Sequence, residues 1–226
     1  MLALACAVGE GPLLPRGPVD LVLSPGDFAV IETPGARRGA AFANLCAGLV
    51  SLSAGSVRFL GRDWRAVPDD HADALRGHIG RLFHQRLRAD TPDVASRVLL
   101  ARLHHTRTPE PALRDQAAAL AVNFGLPGLP TGPAWLLSEA DLLRAAAVRA
   151  FLGEPRLLIL ELPPAAQDDD FLSGLLSAGT DARRRGAAVM WLAAAGPALR
   201  TRAAMPTQRL HITDYGLIRL SGGRRP

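Results

Sequence analysis

Short apolar runs alternate with amphipathic segments along most of the chain. The runs at 28–31, 156–161 and 187–192 contain few polar residues, which is typical of parallel strands that are buried on both faces. The segment 39–49 instead has apolar residues at helical spacing, which predicts an amphipathic helix. Strands that alternate with helices predict an α/β fold.

The same patterns predict the remaining elements, and a helical block interrupts them in the middle of the chain. Residues 92–124 have the spacing of two helices, and the Gly/Pro-rich link 125–133 separates them from a third. Such a block predicts an insertion into the α/β core. The other predicted elements are strands at 2–8, 19–23, 53–62 and 79–83, helices at 69–77, 139–152 and 171–184, and a hairpin at 211–220.

The segment 29–49 is predicted to be a buried strand, a turn with glycine and a helix, which is the frame of a phosphate-binding loop. A working loop has the pattern G-x-x-x-x-G-K-[ST], in which the lysine reaches the phosphates and the hydroxyl holds Mg²⁺. On that pattern, acidic and basic side chains replace the glycines and the lysine, and a glycine replaces the hydroxyl residue. The degenerate loop comprises Glu32 at the first glycine, Gly35, Arg37 at the second pattern glycine, Arg38 at the lysine, Gly39 at the hydroxyl and Ala40.

Composition predicts a soluble globular protein. Of the 226 residues, 48% are apolar, enough for one sizeable core. No apolar run reaches the roughly 20 residues that span a bilayer, and residues 1–6 are too short for a secretion signal. Cys6 and Cys46 form no disulfide framework, which fits a reducing cytosol.

The net charge of +5 comes from arginine, because the chain contains no lysine. No lysine can therefore serve a phosphate loop. Arginine runs such as 183–185 lack interleaved aromatic residues, so we expect a solvated face or contact with anionic lipid headgroups, and no nucleic-acid partner.

A series of short stretches resembles the ATP-binding subunit of an ABC transporter, and the likeness covers nearly the whole chain. In that family a turn that reads PGD or PGE precedes the loop. The loop helix is followed by a strand framed by glycines, a glutamine, the LSGGQ signature, Asp-Glu-Pro, a D-loop aspartate and a histidine. The corresponding stretches here are SPGD at 24–27, AGSVRFLG at 54–61, IGRLFHQ at 79–85, LSEAD at 137–141, LLILELP at 157–163, AQD at 166–168 and VMWLAA at 189–194.

The resemblance implies one nucleotide-binding domain over 1–226, of the P-loop NTPase (RecA-like) type. An α/β core with an antiparallel β subdomain would occupy 1–90 and 153–226, and a helical subdomain 91–152. It also implies an integral membrane permease and a second nucleotide-binding subunit, homo- or heterodimeric, as partners. The protein would then be cytoplasmic and peripheral to the inner face of the cell membrane.

The departures from the family fall on the residues that carry its chemistry. Glu161 stands at the aspartate that supports Mg²⁺, and Leu162 replaces the glutamate that activates water, so no general base is present there. Ala194 replaces the histidine that senses the γ-phosphate. His84 takes the glutamine position of the Q-loop, and Gln85 comes one residue late.

The signature is altered as well. Ser138 is kept, but Glu139 and Ala140 stand for the two glycines and Asp141 for the glutamine. The glycine N–H groups hold the γ-phosphate of the opposite subunit's ATP in this family, and carboxylates would repel it. Asp168 takes the position of the D-loop aspartate, and as a helix N-cap it would have a second, compatible role.

Two residue roles have alternative interpretations. Arg37 and Arg38 are either phosphate ligands, since guanidinium binds phosphate well, or a polar helix start. Glu161 either supports a metal or caps a buried strand end, paired with an arginine. In both cases the structural interpretation is preferred, so no ATP, Mg²⁺ or other metal is expected to bind.

The sequence therefore predicts a catalytically degenerate subunit, a pseudo-ATPase that docks a permease through residues 84–96. The ending of the D-loop at 167–168 and the spacing through 79–106 resemble the subunits that energise Mla/Mce-type phospholipid transport. One alternative is a divergent ATPase in which Arg38 substitutes for lysine and Glu161 serves as base. Another is a regulatory binding module without a transporter.

Overall fold

The computed structural model describes residues 1–83, 92–161, 169–194 and 206–220. Within these ranges the chain forms ten strands and six α-helices. The strands are β1 Leu2–Gly9, β2 Val19–Leu23, β3 Phe28–Thr33, β4 Leu52–Phe59, β5 Arg62–Asp63, β6 Ile79–Leu82, β7 Leu157–Glu161, β8 Ala188–Ala194, β9 Gln208–Ile212 and β10 Leu217–Arg219. The helices are α1 Ala36–Cys46, α2 Asp69–Arg76, α3 Val94–His105, α4 Glu110–Asn123, α5 Glu139–Phe151 and α6 Asp169–Arg184.

The strands form two sheets of different character. The six-stranded sheet has the order β10-β9-β3-β8-β7-β6, and all its neighbours pair in parallel except β9 and β10. The four-stranded sheet, β2-β1-β4-β5, is antiparallel. A parallel sheet flanked by helices, together with a separate antiparallel sheet and the consecutive helices α3, α4 and α5, agrees with the predicted arrangement.

The six-stranded sheet separates two hydrophobic clusters because successive side chains of a strand point to opposite faces. Ala29 and Ile31 of β3 pack with α1 and the antiparallel sheet, where Phe42 is fully buried. Phe28 and Val30 face the cluster that contains much of α3, α4, α5 and α6. Every residue of β3 and β7 is buried, as their continuous apolar runs predict.

Most predicted elements lie where the sequence places them, but α1 does not. It begins at Ala36, three residues before the predicted start at Gly39, and ends at Cys46. Leu49, which the prediction placed on the apolar helix face, lies beyond the helix and is 54% exposed. No helix within the described ranges is long and apolar enough to cross a membrane.

Asp93 fixes the start of α3. Its carboxylate accepts hydrogen bonds from the Ser96 amide at 2.9 Å and from the Gly132 amide at 2.9 Å, so it joins α3 to the loop before α5. The hydrogen bonds from the Ser96 side chain and amide lower the pKa of Asp93 below its usual value.

We expect Asp93→Ala to destabilise the protein by about 1 kcal/mol at neutral pH, the usual cost of removing a helix cap. The depressed pKa means that this stabilisation is present above the unfolded-state value. It is lost as the pH falls through the lower folded-state value. Urea unfolding at neutral and acidic pH checks this, with the exposed Asp115→Ala of α4 as control. A deficit that stays constant at acidic pH would contradict the assignment.

The two cysteines differ in environment. Cys46 is fully buried at the end of α1, and burial raises the pKa of its thiol to about 12. Cys6 is exposed. Since the thiolate is the reactive form, a thiol reagent should label Cys6 in the native protein and Cys46 only after denaturation. Mass spectrometry of the labelled peptides distinguishes them, with Cys6→Ser as control. Rapid native labelling of Cys46 would contradict the burial.

Candidate functional site

The carboxyl ends of three parallel strands meet at one edge of the six-stranded sheet. Thr33 at the end of β3 pairs with Ala194 at the end of β8. Glu161 at the end of β7 pairs with Leu192. Ligands of open α/β sheets bind at this edge, so these strand ends and the turn after β3 form the candidate site.

The turn between β3 and α1 contains only Pro34 and Gly35. Glu32 therefore lies inside the strand, and Arg37 and Arg38, which were predicted to precede the helix, lie inside it together with Gly39 and Ala40. The physical reason is helix propensity, because alanine and arginine favour a helix where the pattern has loop glycines. Starting the pattern one residue later, at Thr33, also supplies neither lysine nor hydroxyl.

The N-terminus of α1 is open to an anion. The helix has no side-chain cap within the described residues and no acidic residue in its first turn. Its first intrahelical bond joins the Gly39 amide to the Gly35 carbonyl at 3.1 Å, which leaves the preceding amides directed outward. A side chain added at Gly35 would meet nothing within 4 Å. Such a helix start favours negative charge.

Two arginines add positive charge to this helix start. Arg37 is exposed and has no ion-pair partner among the described residues. Arg38 is mostly buried at its side chain and donates to Asp214, in the hairpin turn between β9 and β10, at 2.6 Å. An anion at the helix start could therefore use Arg37 directly, while Arg38 would have to exchange Asp214 for it.

Glu32 lies away from this helix start. It is 4% exposed and sits on the opposite face of β3 from Thr33, which contacts Gly39. Its carboxylate is 3.9 Å from Nδ1 of His211 on β9. Glu32 is therefore part of the sheet rather than of a phosphate-binding turn.

Glu161 forms a buried ion pair with Arg81 of β6. Nε of Arg81 donates to Oε1 of Glu161 at 2.5 Å, and the side chains are 9% and 4% exposed. The same guanidinium donates to Oδ1 of Asn44 at 2.7 Å and to the Ala40 carbonyl at 3.3 Å. It lies 4.5 Å from the centre of the Phe83 ring. Glu161 is thus paired with an arginine, as one of its two interpretations predicts.

The N-terminus of α5, which carries the altered signature, is closed to anions. Ser138 is its N-cap and accepts from the Asp141 amide at 3.1 Å, while its hydroxyl donates to the Asp141 carboxylate at 2.8 Å. Glu139 and Asp141 supply two negative charges in the first turn, and Arg144 pairs with Asp141 at 2.9 Å. The Ser138 cap and the carboxylates of the first turn therefore stabilise this helix start without a bound anion.

Some predicted positions cannot be placed. His84, Gln85, Leu162 and Asp168 lie outside the described residues, as does most of the predicted docking segment 84–96. Ala194 is described and lies exposed at the end of β8.

Sequence reasoning missed Arg81, which pairs with Glu161, and Asn44, which accepts a hydrogen bond from Arg81. One signal was available, because Arg81 is the only charged residue in the apolar segment 79–83. A charged residue in a strand beside a buried carboxylate predicts a pair, although its partner lies 80 positions along the chain.

The chain is similar in sequence to ATP-binding proteins of transport systems, although no protein-family model matches it. It is 25% identical over 159 residues to the bacitracin export ATP-binding protein BceA of Halalkalibacterium halodurans, covering 70% of this chain and 62% of BceA. It is 29% identical over 174 residues to the lipoprotein-releasing system ATP-binding protein LolD of Pseudomonas fluorescens, covering 74% of each. The chain spans less than two thirds of BceA.

A solved ATP-binding subunit of an ABC transporter superposes with a TM-score of 0.80 at 17% identity, over 96% of this chain and 88% of that one. This chain has the fold of an ABC transporter ATP-binding subunit. The predicted fold class is confirmed, and the chain is similar in sequence to ATP-binding proteins of transport systems.

The expectation that no cofactor binds is wrong for nucleotide. The relatives are named as ATP-binding proteins. A second solved neighbour, the dimeric cassette MJ0796, was determined with ADP and phosphate bound; its TM-score is 0.79 at 18% identity, over 98% of this chain and all of MJ0796. The geometry agrees, because the start of α1 with Arg37 suits the phosphates of a nucleotide.

The described part of the cassette does not fit a magnesium ion equally well. Its strand-end carboxylate, Glu161, is already neutralised by Arg81. No group of three or more His, Cys, Asp or Glu residues within the described ranges could hold a metal. At this edge of the sheet the start of α1 thus offers positive charge to a phosphate, whereas the strand-end carboxylate Glu161 is already paired.

We expect Arg81→Met to destabilise the cassette by about 3–5 kcal/mol, because it leaves the buried Glu161 carboxylate without a counter-charge. Arg81→Met combined with Glu161→Leu should recover most of that loss, since an apolar pair replaces the ion pair. Denaturant unfolding of both singles and the double measures the coupling.

The control is the exposed pair of Arg114 and Glu110, in contact at 2.7 Å. Arg114→Met should cost no more than about 0.5 kcal/mol. Equal losses of unfolding free energy in Arg81→Met and Arg114→Met would show that the buried pair stabilises the fold no more than a surface pair does.

Proposed function

We propose that this cassette is a nucleotide-binding subunit of an ABC transporter that binds ATP at α1 but is catalytically degenerate. One observation carries the proposal: the two helix starts that matter for nucleotide differ in electrostatics. The start of α1 is uncapped and basic, whereas the start of α5 is capped and acidic. The first suits phosphate and the second repels it.

Hydrolysis needs more than phosphate binding. A base must lie within hydrogen-bond reach of the attacking water, and charge must be stabilised as it develops. Glu161 cannot readily serve as the base because it is buried against Arg81, and Leu162 has no ionisable group. We therefore expect ATP binding with little hydrolysis, whereas the alternative of a divergent ATPase predicts rapid hydrolysis.

The proposed partners are an integral membrane permease and a second nucleotide-binding subunit. The solved cassette MJ0796 is a dimer, and BceA and LolD are named for export and release systems. With such partners the subunit would lie in the cytoplasm against the inner face of the membrane. The names of these relatives cover different cargoes, so phospholipid transport of the Mla/Mce type stays a prediction, and co-purification of a Mce-type lipid-binding subunit would test it.

ATP binding by calorimetry, with hydrolysis measured on the same preparation, tests the proposal. We expect measurable binding and a turnover at least a hundredfold below the roughly 10 s⁻¹ typical of enzymes. Arg37→Ala should weaken binding about 10- to 100-fold, the worth of a hydrogen bond to a charged group. Arg184→Ala, at an exposed arginine of α6, is the control.

Asp214→Ala gives a sharper test because it should strengthen binding. It frees Arg38 from an exposed carboxylate, so ATP no longer competes with that pair. A surface pair contributes up to about 1 kcal/mol, which corresponds to a gain of up to about fivefold. Rapid hydrolysis that disappears in Glu161→Gln would support the divergent ATPase instead, and absent binding would remove nucleotide from the proposal.

A further inference from the structure

The Arg81 guanidinium fills the space between three elements at the site. Its Nε, Nη1 and Nη2 atoms all donate, to Glu161 of β7, to Asn44 and to the Ala40 carbonyl of α1. Arg81 itself belongs to β6, so a single side chain joins two strand ends to α1. Such a fork of donors can hold several fixed acceptors at once.

The position of Glu161 in the sheet connects this contact to the proposed nucleotide site. Glu161 lies at the end of the strand beside β8, on the face of the sheet that α1 covers, since its partner Arg81 reaches α1. A carboxylate there is the natural counter-charge for a cation near the phosphates of a nucleotide. The cation that it contacts is a guanidinium of the chain itself.

We propose that Arg81 is a positioning residue that holds Glu161 and thereby decides how strongly the nucleotide site responds to magnesium. The inference rests on the proposed nucleotide binding at α1. While Arg81 is present, its guanidinium neutralises the charge of Glu161 and donates to Oε1. When the guanidinium is removed, the carboxylate becomes available to a divalent cation, and the cation takes over the neutralisation that burial requires.

The variant Arg81→Gln removes the charge and keeps a hydrogen-bonding side chain. Its first readout is thermal stability without nucleotide, in MgCl₂ and in NaCl of matched ionic strength. Magnesium should raise the melting temperature of Arg81→Gln more than that of the unaltered chain. The additional rise should disappear in Arg81→Gln/Glu161→Gln, because the carboxylate is then absent.

The second readout is ATP affinity with MgCl₂ and with EDTA. The ratio of the two dissociation constants should be about tenfold larger in Arg81→Gln than in the unaltered chain, equivalent to one decade of differential binding. Arg149→Met is the matched control, because Arg149 also lies over the Phe83 ring, at 5.3 Å, while the Arg81–Glu161 contact stays. Arg81→Lys, which keeps a cation, should behave like the unaltered chain.

The two readouts separate the possible failures. Absent ATP binding together with magnesium-dependent stabilisation of Arg81→Gln would refute the proposed function and leave the assignment of Arg81 in place. An equal magnesium response in the unaltered chain and in Arg81→Gln would overturn the assignment. If Arg81→Gln does not fold, Glu161→Gln decides: a magnesium effect on ATP affinity in the unaltered chain that Glu161→Gln abolishes also overturns it.

Discussion

The buried contact between Arg81 and Glu161 is the constraint on which the candidate site depends. Removing two charges from water costs several kcal/mol per ion, and only good geometry with further hydrogen bonds offsets that cost. Here the geometry requires β6, β7 and α1 to be in place together, because Asn44 and the Ala40 carbonyl complete the guanidinium's partners. The edge of the sheet is therefore fixed by an internal charge pair, and Glu161, one methylene longer than the aspartate expected there, reaches this partner at 2.5 Å.

The two helix starts differ for reasons that are local in the sequence. At α5, serine followed by an acidic residue three positions later forms a cap within four residues. At α1, the preceding residues are Pro34 and Gly35, which offer no side-chain acceptor. In a composite site built from α1 of one subunit and α5 of another, a homodimer would place a closed start opposite each open one.

The sequence predicted the elements well because most of their signals are local. The apolar run of β7 and the amphipathic helix α5 lie within a residue or two of their predicted bounds. The predicted start of α1 was three residues late: a loop was expected up to residue 38, but residues 36–38 are helical because alanine and arginine favour that state. The partner of Glu161 was beyond local reasoning, since an ion pair across 80 positions depends on which strands become neighbours.

Packing does not explain why Gly39 and Ala194 stand where the family pattern has larger polar residues. A methyl group at Gly39 would lie 3.4 Å from Cγ2 of Thr33 and 3.8 Å from Cβ of Leu192, which are ordinary contacts. The fold would thus accept a methyl group at Gly39, and Ala194 is exposed. The departures from the family pattern at Gly39 and Ala194 are therefore not required by the packing of the core. At this edge the fold is stabilised by the ion pair between Arg81 and Glu161. The stability of the chain therefore does not depend on nucleotide turnover.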